Sequence, residues 1–308
     1  MSAAPIEQIQ PGIDAVDRAQ LPWRRFASQF AESKIAMFGL AMLLVVAAIA
    51  LFAPWIAPQD PYDLTKLDLL DSRQPPGTKS ADGMTYWLGT DGQGRDMLSA
   101  IIYGLRVSLM VGVLSGAIAL TIGSIMGVLA AYLGGRLEQL VMRIVDIQLG
   151  FPAILVALIL LAVLGKGVDK IIIALVTVQW AYYARTARSA ALVERNKEYI
   201  EAARSLGLSG ARIVMRHLLP NALPPLIVVG TVQVAHAIAL EATLSFLGLG
   251  LPPTEPSLGL LIANGYEVLM SGKYWISMYP GIALLLTILA INLVGDQLRD
   301  ILNPRLAR

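Results

Sequence analysis

Two ionisable side chains set in otherwise apolar sequence could act on a solute or a proton: His236 and Glu241, in the run from Ala222 to Phe246. Glu241 is the one carboxylate of that run, and an ionisable group inside a membrane segment points to function by default. On a helix rising about 1.5 Å per residue, Glu241 falls near the outer interface and His236 about 7 to 8 Å deeper. Both are candidates for the wall of a translocation path; a helix-packing or interfacial role is the alternative reading. Other chemistry is excluded by residue type. Cysteine is absent, so there is no disulfide or thiolate chemistry, and the two histidines, His217 and His236, make no protein-only zinc site by themselves. Lys166 and Lys273 follow glycines, but neither precedes Ser or Thr and neither has the upstream glycine of a phosphate-binding loop. The Asp-Gly-rich stretch from Trp87 to Asp96 lacks the bidentate glutamate and ligand order of a calcium loop. No catalytic residue, metal site or nucleotide site is expected in this chain.

The elements that carry these residues are membrane helices. Of the 308 residues, 56% are hydrophobic and 15% charged, far from the roughly 25% charge of soluble proteins. A net charge of +2 is too small to argue for nucleic acid as a partner; the bilayer is the partner that composition predicts. The apolar runs predict an all-α fold with six spans. They are Ile35 to Ile56, Val107 to Leu133, a helix from Arg136 to about Leu164 kinked at Pro152, a weak span from Ile171 to Ala184 that snorkels through Arg185 and Arg188, Ala222 to Phe246, and Ile276 to Val294. Arg143 and Asp146 can pair across one helical turn. Gly123 and Gly127 form a close-packing pair.

Ahead of the first span, residues 1–34 read as a disordered start followed from about Leu21 either by a surface helix or by an extension of the span. Residues 58–100 form an acidic, turn-rich outer segment, and residues 101–308 a core of five spans. Lys and Arg cluster before the first span, between Arg185 and Arg216, and after the last span. With six spans all three clusters fall on one side, and the positive-inside rule makes it cytoplasmic, with both termini.

The longest polar, helix-capable stretch after the first third is residues 193–221, flanked by two apolar runs. Glu201, Ala202, Ala203 and Arg204 favour helix, Gly207 and Gly210 interrupt it, and Pro220 marks where a new helix can begin. Glu201-Ala202-Ala203, Gly207 and Leu219-Pro220 match in register the cytoplasmic loop of ABC-importer permease subunits, with His217 where the general pattern has Ile. Trp87-Leu88-Gly89-Thr90-Asp91 with Gly94-Arg95-Asp96 before the second span, Thr243-Leu244-Ser245-Phe246-Leu247-Gly248 with Pro252-Pro253 after the fifth, and Asn303-Pro304 at the end resemble the dipeptide/oligopeptide branch, which also includes nickel and glutathione permeases. Leu258-Gly259 departs from that branch, which usually has Trp before this glycine.

This resemblance implies the type I importer permease fold in a bacterial inner membrane. It also implies a coupling role for Glu201, Ala202, Ala203, Gly207, Leu219 and Pro220. The implied partners are a second homologous permease subunit, two ATP-binding cassette subunits that hold ATP and Mg, and an extracytoplasmic substrate-binding protein. The implied cargo is a di- or oligopeptide, with nickel, glutathione or another small solute as alternatives. A membrane enzyme or an independent channel is the competing class. An enzyme should display paired acids or a ligand cluster, and a channel has no need of a loop shaped for an ATPase.

Overall fold

The computed structural model describes residues 22–63, 65, 67–80 and 83–302; the expected disordered start and the closing Asn303-Pro304 lie outside them. The chain enters through α1 (Pro22–Glu32) and then α2 (Lys34–Leu51). Ser33 separates them and caps α2, its Oγ accepting from the Ala36 amide at 3.3 Å, so the leading helix is a distinct element rather than an extension of the first span. A one-turn helix, α3 (Ala53–Ile56), follows Phe52.

The second long helix, α4 (Met97–Leu133), starts ten residues ahead of the expected Val107. Asp96 is the reason: its carboxylate accepts from the Ser99 amide at 2.8 Å and the Ser99 hydroxyl at 2.6 Å, which satisfies first-turn donors and starts the helix outside the apolar run. Its 37 residues extend about 56 Å, well beyond a bilayer core of about 30 Å. Its main partner is α7 (Val168–Arg195). The expected packing pair lies in that seam: a Cβ on Gly123 would sit 2.4 Å from the Trp180 carbonyl oxygen, and one on Gly127 2.3 Å from that of Ala184.

Between them, the expected kink at Pro152 is a full break. Helices α5 (Gly135–Gly150) and α6 (Ala153–Leu164) meet at 93°. The anticipated Arg143–Asp146 pairing is also corrected, because Asp146 binds Arg185 of α7, and Glu138 of the same helix takes Arg188 (Nε to Oε1, 2.7 Å). Both arginines find carboxylates on α5, which offsets part of the cost of charge near the membrane.

After α7 come α8 (Glu198–Ser205), α9 (Gly210–Ile213) and α10 (Leu219–Phe246), the last two joined by a π-helical turn over Val214–Leu218. The run from Gly210 to Phe246 is thus one continuous helix. Pro220 therefore does not open a new helix after a break; it follows the π-helical turn over Val214–Leu218 inside the continuous run, where the hydrogen-bond ladder is already irregular. Helices α11 (Leu258–Tyr266) and α12 (Trp275–Leu302) complete the chain.

Among the described residues, four helical stretches are long and apolar enough to cross a membrane: α2, α4, the run from Gly210 and α12. The bent pair makes a fifth. The remaining expected span is α7, whose 28 residues extend about 42 Å but carry Gln179, Tyr182 and Tyr183 in the middle and charges at both ends. The side-chain amide of Gln297 on α12 donates to the Gln29 carbonyl of α1 at 3.3 Å. Arg299 and Leu302 share a groove with Glu194 and Asn221. Helix α1 and the C-terminal end of α12 therefore lie at the end of the bundle that carries α8.

The opposite end is closed by a folded cap. A two-stranded hairpin, β1 (Thr78–Lys79) against β2 (Thr85–Tyr86), leads to Asp91 and Arg95, an ion pair of 2.7 Å with 1% and 0% of the side chains exposed. Arg95 also donates to the Pro253 carbonyl at 3.3 Å, and the Trp275 indole N–H to that of Thr90 at 3.2 Å. These bonds tie the cap to the segments on both sides of α11.

Candidate functional site

Helix α8 stands off the bundle on a small apolar root. Ile200 and Ala203 are buried with Val128, Ala131, Ile213 and Leu218, and fully burying a residue such as Ile200 contributes about 1.5–3 kcal/mol outside the membrane, where water is the alternative. The helix stops in a defined way. The Gly207 amide donates to the Arg204 carbonyl at 2.9 Å and the Leu208 amide to that of Ala203 at 3.1 Å, with Gly207 at φ +73°. This is a Schellman turn, which requires the left-handed conformation that glycine adopts without strain.

The far face of α8 is solvent-facing. Glu201, Ala202, Arg204 and Gly207 are exposed, and Leu206 is 81% exposed. Ala203 and Leu219 instead turn toward the core, and Pro220 is exposed in the first turn of α10. The six residues expected to couple therefore divide into a presented set and a rooted set.

Side chains outside the Glu-Ala-Ala motif fix α8 to its neighbours. The Arg204 guanidinium lies 5.6 Å from the Tyr132 ring centroid at the end of α4. The Tyr199 hydroxyl donates to Glu194 at 2.7 Å and accepts from Asn221 at 3.2 Å, while Asn221 also donates to the His217 carbonyl at 2.7 Å. Lys197 completes the group with a 2.6 Å contact to Glu194. Burial and the Glu194 carboxylate push the Tyr199 phenol up to about 12, so it stays protonated and donating. His217, which stands where the general loop pattern has Ile, has its ring 6.1 Å from that of Tyr199. The clasp joins α7, α8 and α10, and sequence reasoning missed it because its members are spread over 28 residues with no shared period.

The two intramembrane candidates separate. Glu241 is fully buried and accepts from Ser108 of α4 at 3.1 Å and Ser245 at 2.7 Å, with Ser257 as a third hydroxyl partner. It ties α10 to α4 and to the start of α11. Glu241→Gln is expected to cost about 1 kcal/mol of stability and Glu241→Ala about 2–3 kcal/mol, because truncation strands buried hydroxyls. Thermal unfolding in detergent checks the order.

His236 is exposed on another face of α10. It lines a cavity of about 430 Å³ between α6, α7 and α10, together with Gln179, Tyr182, Gln233 and Thr243. The glutamines had drawn no attention, being uncharged; the available signal was two amides in apolar runs. Among the described residues no group of three His, Asp or Glu side chains could hold a metal ion.

These helices are arranged as in a type I ABC importer permease. A chain of the methionine ABC transporter MetNI, in an inward-facing native crystal form, matches with a TM-score of 0.56 and 23% identity, covering 67% of this chain and 98% of that one. The chain belongs to the family of binding-protein-dependent transport system inner membrane components, whose model matches residues 119–308. The N-terminal transmembrane domain of oligopeptide transport permease C matches residues 22–76.

Its relatives include the di/tripeptide transport system permease protein DppC of Pseudomonas aeruginosa (strain UCBPP-PA14), 39% identical over 285 residues, 92% of this chain and 93% of that protein. The dipeptide transport system permease protein DppC of Escherichia coli (strain K12) is 40% identical over 285 residues, 92% and 94% of the two chains. The Bacillus subtilis (strain 168) protein of the same name is 37% identical over 300 residues, 96% and 90%.

Proposed function

We propose that this chain is one permease subunit of an ATP-driven importer that carries di- or oligopeptides from a soluble binding protein across the cytoplasmic membrane. The presented face of α8, closed by a left-handed Gly207 and edged by Leu206, is the observation that carries the reading. A short solvent-facing helix with an exposed apolar residue at its end suits insertion into a cleft of another protein. The peptide cargo is supported by the printed functions of the relatives.

In this reading two cassette subunits bind ATP and Mg, a second homologous permease completes the path, and the α8 end of the bundle faces the cytoplasm with both termini. Closure of the cassettes moves α8. The Tyr199 clasp and the unbroken run from Gly210 into α10 then pass that displacement to α7 and α10. Those two helices line the open cavity that holds His236, Gln179 and Gln233, so a movement at the loop changes that cavity.

A cysteine placed at Ser80 should react with a membrane-impermeant thiol reagent added outside cells, and one at Ser209 should react only after permeabilisation. Reversed labelling would overturn the orientation. Vesicles holding the full complex should take up a labelled dipeptide with ATP inside the compartment that α8 faces, and the purified chain alone should hydrolyse none. Hydrolysis that persists without cassette subunits would contradict the division of labour.

A further inference from the structure

The cavity between α6, α7 and α10 carries an unsatisfied amide chemistry. Gln179 and Gln233 both line it and are only 3% and 5% exposed. Gln179 donates through Nε2 to the Gln233 carbonyl at 3.3 Å, which leaves Gln179 Oε1 and Gln233 Nε2 without partners. One is an acceptor and the other a donor.

Gln179 lies eleven residues into α7 and Gln233 thirteen before the end of α10, about 16 and 20 Å along their helices. That is close to the middle of a bilayer core of about 30 Å. Lipid offers nothing to satisfy either atom at that depth. The volume, about 430 Å³, falls within the roughly 300–1,000 Å³ of small-ligand sites. His236 is the one imidazole among the lining residues, and no carboxylate, lysine or arginine is among them, so the cavity offers no fixed charge to select a cationic or anionic side chain.

Resting on the importer reading above, we propose that this cavity reads the main chain of the passing peptide. Gln179 Oε1 accepts from a peptide N–H, and Gln233 Nε2 donates to a peptide carbonyl. Every peptide carries both groups whatever its side chains, so such a site holds cargo at mid-membrane without restricting sequence.

The test uses the complete complex in vesicles, with the binding protein supplied saturating and preloaded so that its own preference does not enter. Uptake of alanyl-alanine is compared with that of alanyl-lactate, in which an ester oxygen replaces the amide N–H. The wild-type complex should favour the amide about three- to tenfold, the worth of one hydrogen bond. Gln179→Leu should slow only the amide substrate and bring the ratio to within about twofold of one. Gln233→Leu should slow both substrates alike, because the carbonyl is common to them.

Equal wild-type rates for amide and ester, or an assembled Gln179→Leu complex with the wild-type ratio, overturn the inference while leaving the importer reading intact. If either substitution prevents the second permease from co-purifying, the amides serve the subunit interface and the inference fails. A wild-type complex that carries no peptide overturns the importer reading and this inference with it.

Discussion

Gly207→Asp is expected to reduce uptake at least tenfold while the chain still inserts and accumulates in the membrane. Gly207 holds φ +73° at the end of α8, a conformation that costs a side-chain-bearing residue about 1–2 kcal/mol, or roughly five- to thirtyfold in the equilibrium of the turn. A Cβ at this position meets nothing within 4 Å inside the chain. The defect therefore comes from backbone strain and from bulk added to the presented face, not from disruption of the core. Gly207→Val should lose more than Gly207→Asn, since Asn, like Asp, tolerates the left-handed region and a β-branched residue does not, so that pair separates strain from bulk. Glu201→Lys should be milder, because an exposed charge at a wet contact is worth about 0–1 kcal/mol. Uptake in vesicles, read beside co-purification of the cassette subunits, measures each step. Wild-type uptake by Gly207→Asp would reduce α8 to a connector.

Arg95→Ala should loosen the cap by about 3–5 kcal/mol, the cost of stranding a buried partner charge. Arg95 and Asp91 are both withdrawn from water, and the Asp91 carboxylate also accepts the Gln93 amide at 2.8 Å and the Arg95 amide at 3.0 Å. Those bonds remain after truncation but do not neutralise the charge. The loss of the Arg95 bond to Pro253 also detaches the cap from the segment before α11. Amide hydrogen exchange across residues 89–97 should accelerate a hundredfold or more. The double variant Arg95→Met with Asp91→Asn should recover much of the protection, because it removes both charges together. Unchanged exchange in Arg95→Ala would mean that the cap is held by its hairpin and Trp275 alone.

Much of this protein is legible one segment at a time. Hydropathy over about 20 residues places the membrane helices, because transfer from water to hydrocarbon depends on the composition of a segment and hardly on its neighbours. The helix, glycine, helix sequence of residues 198–213 gives α8 and its stop, because a left-handed C-cap is a local backbone demand. The want of a phosphate-binding loop follows in the same way from residue identity and spacing.

What the tertiary structure decided concerns which helix faces face each other. Arg143 was the near neighbour of Asp146 in sequence, yet Arg185 from another helix takes the carboxylate. The break at Pro152 reached 93°, and a π turn carried the loop into α10 without interruption. His236 and Glu241 share one helix but point to different surroundings, a cavity and a ring of serines. Gln179 and Gln233, 54 positions apart, acquire meaning only where α7 meets α10. Period and propensity fix the axis of a helix, whereas its rotation about that axis is set by packing against neighbours, and that rotation determines which polar groups meet.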